Sequence, residues 1–438
     1  MSPTVGTPGV GPGQLWDAPT ATSPLDATVA VPGSKSLTNR YLVLAALASE
    51  PVVIRGALRS RDSQLMIDAL RQFGVTVDDS GDAWTVTPPA RLKGGGFVEC
   101  GLAGTVMRFV PPLVLLADGP VSFDGDLAAR ERPMGPMIDA LRALGASVDD
   151  AGLGALPFKA TPGSDVPAEV EIDASTSSQF VSGLLMVAPR LPKGLVLRHV
   201  GETLPSLPHI DMTCASLREA GIAVEQPDER TWVVKPGALH LREIRVEPDL
   251  SNAGPFIAAA LVAGGTVRIP HWPATTTQPG ALYPPLLRQM GATCTLNGDV
   301  MTVTGSGTIH GIDADLSPAG EITPTIAALC ALADSSSHLT GIGHLRGHET
   351  DRLAALATEI RRIGGGCDEE PTSLRIHPPA DGFHAEDIHT YHDHRMATFA
   401  AIVGLHIPGT RIVNVGTTAK TMPDFPAMWR TMLGLEAS

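Results

Sequence analysis

Cysteine is sparse and poorly placed for bridging. Cys100, Cys214, Cys294, Cys330 and Cys367 are odd in number, far apart and without a CxxC pair. That argues against a disulfide framework and a cysteine zinc site, and for a reducing, cytoplasmic setting. Positive charge is also short: Lys+Arg 32 stand against Asp+Glu 46, a formal net charge of −14. Such a balance argues against nucleic acid or an anionic membrane as partner, since both require broad basic surfaces. No apolar run reaches membrane-spanning length; the richest, from Phe109 to Ala117, is broken by Pro111 and Pro112. Residues 1–14 are rich in Gly and Pro, with neither a basic start nor an apolar block. They read as a flexible extension, not a signal peptide.

The 438 residues suffice for two or three domains, and one pattern recurs along them. Leu70-Arg71-Gln72-Phe73-Gly74 is echoed by Leu141–Gly145, Leu217–Gly221, Leu287–Gly291 and Ile360–Gly364, with a looser sixth copy ending at Gly434. The glycines lie about 70 to 76 residues apart. Each copy reads as a helix end. Met134, Met137, Ile138, Leu141 and Leu144 form an apolar stripe at helical spacing, and Gly145 then supplies a left-handed stop. Strand-like runs come next, such as Val75-Thr76-Val77, Ala146-Ser147-Val148 and Ile222-Ala223-Val224. Six α/β subdomains, grouped three and three, account for the period. The repeat arginines are expected to be solvated charges complementing helix dipoles.

Lysine is scarce, yet Lys35 and Lys420 fall in motif-like segments. Pro32-Gly33-Ser34-Lys35-Ser36 runs into an apolar helix, with Arg40 five residues beyond Lys35. Free N–H groups and cations at a helix start make an anion site. It is not a Walker A loop, because Ser34 rather than Gly precedes Lys35. Similar polar starts are Gly101–Arg108, Arg130-Glu131-Arg132-Pro133, Ser175–Phe180, His348–Arg352, Tyr391–Arg395 and Thr417–Thr421. In the second of these, two guanidinium groups are expected around Glu131. His392 and His394 would share a face if they lay on a strand. A metal at His344 and His348 is disfavoured, since no His-Glu-x-x-His and no third ligand are present. An acidic chain with local cationic clusters points to small anionic ligands.

As an ordered set these motifs resemble the 5-enolpyruvylshikimate-3-phosphate (EPSP) synthase family of enolpyruvyl transferases. The set comprises Pro32-Gly-Ser-Lys-Ser-x-x-x-Arg40, Ala103-Gly-Thr105, Glu131-Arg-Pro133, Ser177-Ser-Gln179, Glu349-Thr-Asp-Arg352, Asp393-His-Arg-Met396 and Ala419-Lys-Thr421. The resemblance implies an α/β fold of two inverse domains, each of three βαβαββ subdomains. Domain 1 would be residues 15–33 plus 249–438, and domain 2 residues 34–248. It implies transfer of enolpyruvyl from phosphoenolpyruvate to shikimate 3-phosphate by a monomer, without metal or cofactor, in a cleft that closes on substrate. Shikimate 3-phosphate would meet Lys35, Ser36, Arg40, Ser177, Ser178, Gln179, Ser206, Glu321 and His348. Phosphoenolpyruvate would meet Lys35, Gly104, Arg132, Gln179, Arg352, Arg395 and Lys420. Lys35, Glu321, Glu349 and His394 would be catalytic, with Glu321 as base and Glu349 or Lys35 moving the proton at carbon.

The chain departs from the commonest family pattern at Leu102, Glu321, His344, His348 and His209. The first four of these bear on affinity and on sensitivity to the inhibitor glyphosate more than on reaction class. His348 replaces the usual lysine, and bound anion would be expected to favour its protonated form. The sister activity on UDP-N-acetylglucosamine usually relies on a loop cysteine near the position of Arg132, and no cysteine lies between Cys100 and Cys214. A non-catalytic anion-binding relative is the remaining alternative.

Overall fold

Among the described residues, short strands alternating with helices build six small sheets. The computed structural model describes residues 15–204 and 206–436; the extension expected at 1–14 lies outside them. Strand Val52–Arg55 shows the plan. It pairs in parallel with Glu243–Arg245 and antiparallel with Ala83–Thr87, which takes Thr76–Asp78 as its other antiparallel neighbour. The same four-strand order recurs around Val121–Asp124, Leu195–His199, Gly265–Ile269 and Ser337–Thr340. The sixth sheet has three strands. Arg411–Val413 pairs in parallel with Asp387–His389 and antiparallel with the N-terminal strand Leu15–Asp17. Among the described residues no strand follows Gly434 in the loose sixth copy, and the N-terminal strand joins this sheet instead.

The chain divides into two compact units, Met1–Val31 with Pro248–Ser438, and Pro32–Glu247. We call them the discontinuous and the inserted unit. Each has its own apolar core. In the inserted unit Phe109, Leu113, Phe123, Leu141, Phe180 and Trp232 are fully buried. In the discontinuous unit Phe256, Phe425 and Trp429 pack with ring centroids 5.3–5.9 Å apart. Burying one such side chain contributes about 1.5–3 kcal/mol. All five cysteines are buried free thiols, and burial pushes the Cys100 thiol up to about 12. Among the described residues no helix is long and apolar enough to cross a membrane.

The repeat glycines end their helices as the pattern requires. Gly74, Gly145, Gly221, Gly291, Gly364 and Gly434 all have φ between +70° and +101°, where a Cβ is disfavoured. The repeat arginines need correction. Each turns back and donates to a backbone carbonyl six residues on: Arg71 to Val77, Arg142 to Val148, Arg218 to Val224, Arg288 to Cys294, Arg361 to Cys367 and Arg430 to Glu436, at 2.8–3.1 Å. They fasten the helix end to the next segment, in most copies a strand, rather than merely solvating the helix. Arg142→Met should therefore lower stability by roughly 1–3 kcal/mol while leaving kcat and KM within a few-fold. Urea unfolding beside steady-state kinetics checks this; a large catalytic loss at unchanged stability would contradict it.

Candidate active site

In the inserted unit the Pro-Gly-Ser-Lys segment has a physical reason for each residue. A Cβ on Gly33 would lie 1.9 Å from the Gly56 carbonyl oxygen, so only glycine lets the strand end pass. Ser34 caps the helix Lys35–Ala46 by accepting from the Leu37 N–H at 3.4 Å. Lys35 is thereby placed in the first turn, with its Nζ 3.4 Å from the buried Asp62 carboxylate. Asp62 was not singled out in the sequence. Its signal is the Ser60 cap, which starts the helix Arg61–Gln72 immediately before it.

Arg40 differs from expectation in its surroundings. It is 1% exposed, and it donates to Thr213 Oγ1 (2.7 Å), the Ser36 carbonyl (3.0 Å), Ser182 Oγ (3.4 Å) and the His209 carbonyl (2.8 Å). Here it ties three helices together. Contact with a ligand carboxylate would exchange one of these bonds for the ligand.

Around Gly104 two guanidinium groups converge. A Cβ there would lie 3.2 Å from Arg108 Nη1 and 3.2–3.3 Å from the Arg132 Nη atoms. Arg108 is buried over the Phe180 ring, and its Nη1 donates toward the Gly104 carbonyl (3.4 Å) and Met107 Sδ (3.8 Å). Burial, and then the like charge of Arg132, hold its pKa well below the usual arginine value. A buried cation without a carboxylate is costly unless an anion joins it. The sequence placed Arg108 in a motif without a role, although one helical turn separates it from Gly104. The expected clustering around Glu131 is corrected. Arg130 pairs with Asp124 at 2.6–2.9 Å, whereas Arg132 turns toward the Leu102 carbonyl at 3.4 Å. Ser177 accepts from the Gln179 N–H at 3.3 Å where the helix Gln179–Val187 begins. Ser206 immediately precedes the helix Leu207–Glu219 in a left-handed conformation, φ 55°, without a side-chain capping bond.

In the discontinuous unit a buried charge network forms. Glu349 Oε1 lies 2.5 Å from Lys420 Nζ, and Oε2 lies 3.0 Å from His394 Nδ1. Burial pushes the Glu349 pKa up, but His394, Lys420 and Arg352 outweigh it and hold the carboxyl well below the usual range. Burial lowers the His394 pKa despite the opposing pull of Glu349. The ionised Glu349 carboxylate only accepts, so His394 donates to it from Nδ1. Arg352 binds Asp393 with two bonds, at 2.7 and 3.2 Å. Asp393 also caps the helix His394–His406 through the Arg395 N–H at 2.8 Å. Arg395 Nη2 lies 3.5 Å from Glu321 Oε2.

One expectation changes here. His392 and His394 do not share a strand face: His392 is exposed in a turn, and His394 opens a helix and is buried. His348 Nδ1 faces Arg352 Nη1 at 3.3 Å. A guanidinium only donates, so this nitrogen accepts in that contact. Among the described residues, the group of three or more metal-ligand side chains whose donor atoms come within 4.8 Å of one another is Glu349, Asp393 and His394, and it does not include His344 or His348. Both carboxylates already face Lys420 or Arg352, so a metal ion would have to displace those cations, and the donor set suits acid–base work better. Gly320, next to Glu321, leaves room for His344: a Cβ there would lie 2.3 Å from His344 Nε2.

The chain has relatives. The EPSP synthase (3-phosphoshikimate 1-carboxyvinyltransferase) family model matches residues 19–429. A 3-phosphoshikimate 1-carboxyvinyltransferase of Bifidobacterium longum is 57% identical over 436 residues, covering 96% of this chain and 98% of the relative. One from Kocuria rhizophila is 54% identical over 434 residues, covering 96% and 97%. Among solved structures, an EPSP synthase from Acinetobacter baumannii shares the fold with a TM-score of 0.78 at 23% identity, covering 95% of this chain and 98% of that one.

Proposed function

We infer the roles of these residues from one premise: the chain belongs to the EPSP synthase (3-phosphoshikimate 1-carboxyvinyltransferase) family. It transfers the enolpyruvyl group of phosphoenolpyruvate to the 5-hydroxyl of shikimate 3-phosphate and releases phosphate. The reaction adds the hydroxyl oxygen to the substituted alkene carbon while a proton reaches the methylene carbon. Elimination then returns a proton from that carbon and expels phosphate. Such chemistry needs a base at oxygen, a proton carrier at carbon and positive charge for two multiply charged anions.

The observation that carries the assignment is the Glu349 carboxylate held between Lys420 and His394 beside Arg352. In our reading Lys420 takes the phosphate of phosphoenolpyruvate, while Arg352 and Arg395 take its carboxylate. Glu349 then loses one of the cations that hold its proton off and becomes able to carry the proton to carbon. Glu321 serves as base for the 5-hydroxyl. In the inserted unit Lys35, the Gly104 N–H, Arg108, Arg132 and Gln179 serve the phosphate of phosphoenolpyruvate. Ser36 and Arg40 serve the carboxylate of shikimate 3-phosphate, and Ser177, Ser178 and Ser206 its phosphate. His348 adds a hydrogen bond to the same substrate. Release of phosphate that depends on shikimate 3-phosphate tests the reaction.

The proton logic has its own test. An anion on Lys420 raises the proton affinity of both Glu349 and His394, so binding should take up a proton and weaken as pH rises. Calorimetry of phosphoenolpyruvate binding in buffers of different ionisation enthalpy, with shikimate 3-phosphate present, should show uptake that Glu349→Gln reduces. Proton release on binding would contradict the proposed hand-over of Lys420.

A further inference from the structure

The turn that presents His394 and Arg395 is strained. Tyr391 and His392 have φ of 52° and 58°, consecutive left-handed residues of which neither is glycine. Side chains with a Cβ avoid this region, and a strained turn persists only where its surroundings over-determine it. The helix Arg352–Arg362 does so at two points. At its start Arg352 grips Asp393 with two bonds. Two turns on, the fully buried Glu359 accepts the Tyr391 hydroxyl on Oε1 at 2.6 Å, while its Oε2 faces Arg362 Nε at 2.9 Å and the His389 N–H at 3.4 Å. Thr390 anchors the turn from the other side, donating to the Val413 carbonyl at 3.0 Å, and the Asp393 N–H closes it onto the Thr390 carbonyl at 2.8 Å. His392 is exposed.

We propose that Glu359 and Tyr391 are positioning residues for the transfer reaction: their hydrogen bond holds the left-handed Tyr391-His392 turn that aims Arg395 and His394 at phosphoenolpyruvate. The proposal rests on the reading of Arg395 and His394 as substrate-facing groups. Neither Glu359 nor Tyr391 touches the reacting atoms; they act through the backbone of residues 390–395. Arg352 cannot hold the turn alone, because its grip falls after the two strained residues and leaves Tyr391 free to swing.

Tyr391→Phe removes one hydroxyl and leaves the ring. In the full chain it should lower kcat/KM for phosphoenolpyruvate by about tenfold or more, the scale set by a sub-ångström misplacement. The KM for shikimate 3-phosphate should stay within about twofold, because its proposed anchors lie mostly in the inserted unit. Adding His392→Gly relaxes the strained position without removing packing, so the double variant should recover most of the loss. Hydrogen exchange tracks the turn without turnover: the Asp393 and Arg395 amides should exchange faster in Tyr391→Phe and return toward the parent in the double variant. Unchanged exchange and kinetics in Tyr391→Phe, equal losses for both substrates, or no recovery on adding His392→Gly would each overturn the proposal. Should the parent itself fail to turn over phosphoenolpyruvate, the reading of Arg395 falls, and the exchange result still decides whether the strut holds the turn.

Discussion

Glu349→Gln should lower kcat by about 10²–10⁴-fold, the range contributed by a positioned acid–base group, with little change in KM for shikimate 3-phosphate. The substitution keeps size and shape but cannot carry the proton. Lys420 can still donate to the amide oxygen, so phosphate affinity should hold or improve, because the cation no longer has to leave a carboxylate. A second consequence concerns stability. The Glu349 pKa is depressed in the folded chain, so its ionisation stabilises the fold above the unfolded carboxyl value. That contribution is lost as pH falls through the folded value. The melting difference between parent and Glu349→Gln should thus be largest near neutrality and shrink below about pH 4. A kcat within a few-fold of the parent would remove Glu349 from the chemistry. An equal melting difference at all pH values would contradict the charge network.

Arg132→Ala should lower kcat/KM for phosphoenolpyruvate at least about tenfold, since a charge-assisted contact contributes roughly 1.5–3 kcal/mol. Arg132 lowers the pKa of the buried Arg108, so an anion between the two guanidinium groups relieves their like-charge repulsion. Inorganic phosphate should therefore raise the melting temperature of the parent more than that of Arg132→Ala. The repeat arginines supply the contrast, because their carbonyl contacts fasten helix ends and their loss should leave phosphate protection unchanged. If Arg132→Ala left phosphate protection intact, the assignment of the Gly104 region to phosphate would fail.

Local order was readable in the sequence wherever it repeats. The six glycine stops and the helices before them can be read from period and apolar spacing alone, since both are set within a few residues. What the repeat arginines do was not readable, because their partners are backbone carbonyls that every sequence has. The loose sixth copy hid its completion by Leu15–Asp17, at the opposite end of the chain. At the site, motifs flagged Lys35, Glu349, Arg352, Arg395 and Lys420, but not which charges meet. Lys420 and Glu349 are 71 residues apart and Arg352 and Asp393 are 41 apart; only tertiary folding pairs them. Arg108 and Asp62 carry no local mark beyond lying near a helix start. The Glu359–Tyr391 bond joins a residue of a repeat helix to one preceding a motif, 32 positions later. Neither pattern alone suggests it.

Release of inorganic phosphate from phosphoenolpyruvate by the purified chain, measured with and without shikimate 3-phosphate, tests the central claim most directly. The account predicts release only when both are present, with EPSP formed in equal amount. Release with UDP-N-acetylglucosamine in place of shikimate 3-phosphate, or none with either acceptor, would contradict it.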